Sequence, residues 1–308
     1  IIAQRGNVTL MGFAVNQRGR ITATSSVNAN GSVYLLARDE TVTRSSPGDT
    51  RVSRLAKTAG NLVVANGSVT EVLPDLASGE TSVDAQTFNP SRIVMQANKI
   101  HLQSNSVVRA TGGDISITAL RDPSNPVTSL ARAPANGSRI FMDAGAIVDA
   151  SGSVGVEIPV ERNIVTAELR GNELRDAPLQ RDGVLQGRKV LVDARVGTSL
   201  ADVSGYLAQT RRGIGERTAA GGTVSFLSEG DVVIREGAVV NVSGGSLQWL
   251  AGATGTTKLV SNGQIFDIGK ARPDLIYQSV FDSSPQREAG YAEGRDAGTV
   301  RFSARALV

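Results

Sequence analysis

Apolar and polar residues alternate in short runs along most of this chain. The clearest case is 220–245, AGGTVSFLSEGDVVIREGAVVNVSGG. Three runs within it, 223–227, 231–235 and 238–242, are rich in Val, Ile and Phe and bounded by glycines. Each is too short for a helix, and its β-branched content favours an extended backbone. The separators Ser228-Glu229-Gly230 and Glu236-Gly237 leave no room for a crossover helix. Three strands joined by tight polar corners, within about twenty residues, describe one rung of a parallel β-helix. The phrase recurs: GAVVNVSG from Gly237 matches GAIVDASG from Gly145, with a looser copy, SVVRATGG, from Ser106. The opening strand, a glycine with apolar residues two and four positions on, returns at Gly6, Gly31, Gly113, Gly222 and Gly298. Gly6 and Gly31 are 25 residues apart, and Gly113 and Gly137 are 24 apart, each close to one rung. The larger gaps need insertions. The Gly-Gly pairs suit corners that require positive φ, where a Cβ would clash.

In chain order, strands are predicted at 8–13, 21–24, 32–37, 61–64, 68–73, 93–96, 99–103, 107–110, 114–119, 138–143 and 146–150. The segments 38–57 and 74–90 lose the alternation and read as loops leaving at corners. Pro123, Pro126 and Pro134 exclude interior strand or helix from 121–136. The interval 155–219 is denser in charge. Within it Leu169, Leu174 and Leu179 carry helical spacing, and short elements are expected at 189–193 and 201–206. The predicted organisation is rungs over 1–154, a side elaboration at 155–219, a rung at 220–246, a second elaboration at 247–297 and the start of another rung at 298–308.

Composition narrows this picture in three respects. With 40% apolar residues but only 4% aromatics, the core is expected to be thin and built from stacked Val, Ile and Leu. The net charge of +3 is dispersed, without a basic cluster interleaved with aromatics, so nucleic acid is not an expected partner. The absence of cysteine suits either a reduced cytosolic chain or one threaded unfolded through a membrane pore. The chain opens on Ile1-Ile2 and ends on Leu307-Val308 just after a strand, so it is expected to be a segment of a longer protein. No apolar run reaches the ~18 residues of a membrane span.

Candidate chemistry is sparse. His101 is the single histidine, and alternation places it opposite Ile100 and Leu102, on the solvent side. Carboxylates that a β-helical polysaccharide enzyme would group are Asp143 with Asp149, or Glu229 with Asp231. In the matching rungs, however, Arg109 and Asn241 stand where Asp149 does, so the position reads as a variable outward site. Gly213-Ile214-Gly215 and 252–255 lack the Lys-Ser/Thr of a phosphate loop. Arg211-Arg212 reads as a solvated pair in a loop. Trp249 with Tyr277 could stack on the apolar face of a sugar, or could hold the elaboration onto the rungs. No catalytic residue, metal ligand or cofactor site is expected.

The strings ELRGNELRDAPLQRDG from Glu168, VSGYL from Val203, AAGGTV from Ala219, SEGDVV from Ser228 and TKLVSNG from Thr257 together resemble bacterial exoproteins of the filamentous haemagglutinin type. The resemblance is strongest over about 160–280; elsewhere only the rung pattern is shared. It implies a right-handed parallel β-helix with loop and short-helix elaborations, an internal piece of a secreted partner in a two-partner secretion system. It also implies export through a pore-forming outer-membrane transporter to the surface of a Gram-negative bacterium. The expected function is then adhesive rather than enzymatic: a stiff stalk that contacts, or presents a module to, a host-cell or bacterial surface receptor or glycan. A polysaccharide-degrading enzyme and a purely structural spacer are the alternatives.

Overall fold

The computed structural model describes residues 1–44, 53–120 and 137–308; the expectation for 121–136 lies outside the described residues. Three six-stranded parallel sheets organise the chain. The first sheet holds Ile2–Ala3, Arg20–Ser25, Val69–Pro74, Val107–Ala110, Ile147–Asp149 and Val239–Asn241. The second holds Asn7–Gly12, Ser32–Ala37, Arg92–Ala97, Asp114–Ala119, Thr223–Ser228 and Thr299–Ser303. The third holds Ala14–Gln17, Asn61–Val64, Lys99–Leu102, Arg139–Met142, Asp231–Ile234 and Ala306–Leu307. The chain visits second, third and first sheet in turn, and each strand pairs in parallel with its predecessor in the same sheet. The all-β class with parallel sheets is therefore what the alternation forms.

The register explains why these segments choose this arrangement. Val8, Val33, Ile93, Ile115, Val224 and Val300 stand in one column of the second sheet, and Leu10, Leu35, Met95, Ile117, Phe226 and Phe302 in another. The third sheet adds Val15, Leu62, Ile100, Ile140, Val232 and Leu307. Most of these side chains belong to one core shared by all three sheets. Like packs on like in successive strands, which keeps the period-2 pattern in step. Each fully buried Val, Ile or Leu contributes roughly 1.5–3 kcal/mol.

Two corner columns show how glycine is used. Between third and first sheets, Gly67, Asn105, Gly145 and Gly237 precede register-matched strands by two residues, and all four have positive φ (69°, 58°, 77° and 84°). Between first and second sheets, Gly31, Ser91, Gly113, Gly222 and Gly298 sit just before register-matched strands. Here the expectation of positive φ is corrected for the Gly-Gly pairs: of 112–113, 221–222 and 244–245, only Gly112 has it. The constraint is close approach instead. A Cβ on Gly222 would lie 1.8 Å from the Gly113 carbonyl oxygen, and one on Gly298 would lie 1.7 Å from that of Gly222.

Other differences from expectation have physical reasons. The strand Ala14–Gln17 lies outside the predicted strands, because AVNQ is short and half polar. The polar stretch 38–57 contains Glu40–Arg44 paired antiparallel with Ser53–Thr58. These two strands hydrogen-bond each other outside the three sheets, so they need no apolar row. Leu169 ends the strand Ile164–Leu169, Leu174 is buried in a turn, and Leu179 is 48% exposed in the short helix Pro178–Arg181. The three leucines share no helical face.

Three insertions, 75–91, 150–222 and 242–298, leave between a first-sheet strand and the next second-sheet strand. Two of them pool their apolar residues into a second core. Ala167, Leu169, Leu174, Leu185, Val190, Val192 and Leu200 meet Leu259, Ile268, Ala271 and Tyr277 there. The third joins through Thr81–Val83, which pairs antiparallel with Arg211–Gly213. The elaborations expected as separate units thus form one side body.

Candidate functional site

The side body carries a concave site, and a small sheet builds its platform. In this sheet Ser246–Leu250 lies between Val156–Pro159, parallel, and Tyr291–Gly294, antiparallel. Period-2 alternation puts Leu247, Trp249, Tyr291 and Glu293 on one face of it. Trp249 stacks on its cross-strand neighbour Tyr291, with centroids 5.7 Å apart and planes 18° apart. Each ring is held by a second contact. The indole Nε1 donates to Glu293 Oε2 at 2.8 Å, and the Asn163 amide donates to the Tyr291 hydroxyl at 3.2 Å. Arg195 lies 5.9 Å from the Tyr291 ring centre and bridges Asp193 and Glu288. Burial alone would push the Asp193 carboxyl up, but the Arg195 side chain and backbone N–H outweigh it and hold it below the usual range.

Beside Trp249 opens a cavity of about 360 Å³. All three insertions supply its walls: Asp84 from the first, Arg162, Asn163, Arg212 and Glu216 from the second, and Trp249, Glu293 and Arg295 from the third. The charges come in pairs. Arg212 meets Asp84 at 2.8 Å, Arg162 meets Glu216 at 2.7 Å, and Arg295 meets Glu293 at 2.8 Å. Glu216 also accepts the Gly213 N–H at 3.1 Å, and Arg162 donates to the Arg211 carbonyl. The wall is thus near electrical balance, with hydrogen-bond donors and acceptors side by side.

Tyr277, the other candidate for sugar stacking, requires a correction. It is 3% exposed inside the side-body core, edge-on to Phe266 at 6.2 Å. Its hydroxyl donates to the Arg272 carbonyl at 2.9 Å and accepts the Arg272 N–H at 2.8 Å. Burial pushes its pKa up. A ring enclosed in this way offers no face to a ligand, so Trp249 and Tyr277 do not form one surface. The partner sequence reasoning missed is Tyr291. Its signal was the cross-strand pairing of 246–250 with 291–294, which needs the intervening 40-odd residues folded back.

The remaining candidates fall elsewhere. His101 faces outward between buried Ile100 and Leu102, as alternation requires. Its Nε2 lies 2.8 Å from Asp143 Oδ2, and its ring meets Phe141 edge-on at 5.2 Å. Asp149 is engaged by Arg109 at 2.9 Å, and Asp231 by Arg139 at 2.8 Å. Of the carboxylates that the enzymic alternative would group, Asp143, Asp149 and Asp231 thus each meet a separate basic residue, His101, Arg109 and Arg139. Among the described residues no group of three or more His, Cys, Asp and Glu could hold a metal ion. Arg211 and Arg212 lie in a paired strand rather than a loop; Arg211 donates to Thr81, and Arg212 meets Asp84. No family model matches the chain, and comparisons with the curated proteins and with the solved structures find no match either.

Proposed function

We propose that this chain is a right-handed parallel β-helical stalk segment of a large secreted bacterial surface protein of the filamentous haemagglutinin type. Its role is adhesion: the stacked sheets act as a stiff support, and the side body offers the contact surface to a host-cell or bacterial receptor or glycan. The observation that carries the reading is the in-register stacking of three parallel sheets through six strands, with the apolar columns continuous. Backbone ladders and stacked apolar columns resist bending together, and strands at roughly 4.8 Å spacing carry the side body along about 24 Å of axis. The strings that resemble the family fall within the two later insertions and in the strands Thr223–Ser228 and Asp231–Ile234 next to them. Export through a pore-forming outer-membrane transporter suits a chain with no cysteine, since no disulfide can form before threading.

The test is attachment. Purified chain is immobilised on beads and offered to epithelial cells and to bacterial cells, with soluble chain as competitor. Saturable, competed binding to either is expected. An intact β-type circular dichroism spectrum with no binding would make the segment a spacer. Release of reducing ends from polysaccharide would favour the enzymic alternative.

A further inference from the structure

The Trp249 cavity supports a more specific reading, which rests on the adhesive role proposed above. We propose that it binds an uncharged pyranose sugar at the end of a neutral glycan. Three features point there. First, Trp249 lines the cavity and is locked against Tyr291 and Glu293, so a flat apolar surface is held ready at little cost in side-chain entropy. The C–H face of a pyranose is the complement of such a surface. Second, the polar wall is made of planar groups, guanidinium and carboxylate, in matched pairs. Adjacent donors and acceptors suit the vicinal hydroxyls of a sugar, each of which both gives and accepts a hydrogen bond. Third, the wall has no surplus cation. Arg162, Arg212 and Arg295 are each engaged by a carboxylate, and an acidic sugar entering the cavity would meet those carboxylates too. The volume of about 360 Å³ lies at the small end of ligand sites, where a terminal residue rather than a long chain fits.

Neutral, sialylated and sulfated glycans on one array, followed by calorimetric titration of the best neutral oligosaccharide, test this against the cell-binding assay above. The expected result is retention of neutral glycans, with affinity nearly unchanged between low and high salt because no net charge is neutralised. Trp249→Ala should weaken binding about tenfold or more, equivalent to about 1.4 kcal/mol. Thr210→Trp, which fills the cavity from its wall while leaving Trp249 in place, should abolish binding with an unchanged melting temperature. Cell attachment without retention of neutral glycans would overturn the sugar assignment and leave the adhesive role standing. Loss of both would overturn both. Preferential, salt-sensitive retention of sialylated or sulfated glycans would replace the neutral ligand by an acidic one. Neutral-glycan binding that survives both substitutions would move the site elsewhere.

Discussion

At the scale of single residues, the corners discriminate most sharply between side chains. Gly222 and Gly67 are both corner glycines, but for different reasons. A Cβ at Gly222 collides with the Gly113 carbonyl, whereas one at Gly67 meets open space and is disfavoured only by φ of 69°. Gly222→Ala should therefore cost about 3 kcal/mol or more, as an overpacked backbone contact that must move a neighbouring strand. Gly67→Ala should cost about 1 kcal/mol, the ordinary penalty of left-handed backbone. Chemical denaturation of the two variants measures both; equal losses would remove the distinction. Asp149 offers a pH-dependent counterpart. It is mostly buried on the outer side of the first sheet, in register with Arg109 and Asn241, and both reach it, at 2.9 and 3.2 Å. What reads in sequence as a variable outward site is thus a column of complementary groups. Burial alone would raise the Asp149 carboxyl, but the Ser151 hydroxyl and N–H and the Arg109 guanidinium hold it below the usual value of ~3.9. A depressed folded-state pKa means stability present above that value and lost as pH falls through the lower, folded one. The melting temperature should drop below about pH 4, and Asp149→Asn should flatten that drop while lowering the plateau at neutral pH. Parallel curves for the two proteins would exclude Asp149 as the source.

At the scale of elements, the side body depends on residues that look like surface chemistry in the sequence. Tyr277 closes the core beside the sheet formed by Thr257–Ser261, Gln264–Asp267 and Ser279–Asp282, and both its hydroxyl bonds are to Arg272 backbone. Tyr277→Phe strands two backbone groups and should cost about 1–3 kcal/mol. Tyr277→Ala adds a cavity and should cost about 3–5 kcal/mol. Denaturant titration gives the two stabilities, and the cell-attachment assay gives the control. Tyr277→Phe should keep full attachment, because the ring touches no ligand; loss of attachment with the fold intact would return it to the surface role. The antiparallel pairing of Thr81–Val83 with Arg211–Gly213 belongs at this scale too, since it brings Asp84 to Arg212 and completes the cavity wall.

At the scale of the whole molecule, two cores of different character divide the work. The core of the three sheets is built from columns of Val, Ile, Leu, Met and Ala, repeated strand after strand. Its stability is a sum of similar neighbouring contacts, which suits a support whose length can vary. The side-body core is a single non-repeating cluster, assembled from the two later insertions. The cavity exists only where all three insertions meet, so attachment and glycan retention test the assembled molecule rather than any one segment.

Period-2 alternation alone marks most strands of the three parallel sheets and their order, though not Ala14–Gln17 or the strands outside those sheets. Alternation in 92–97, 114–119 and 223–228 is a local, period-2 signal, and matched phrases such as GAIVDASG and GAVVNVSG stack on one another because identical inward rows fit best in step. The side body, the burial of Tyr277, the pairing of Trp249 with Tyr291 and the meeting of Asp84 with Arg212 arise from tertiary packing. Those contacts join segments far apart in the chain that obey no shared period. Their geometry follows from how the insertions pack against one another, and no local pattern of hydrophobic and polar residues encodes it.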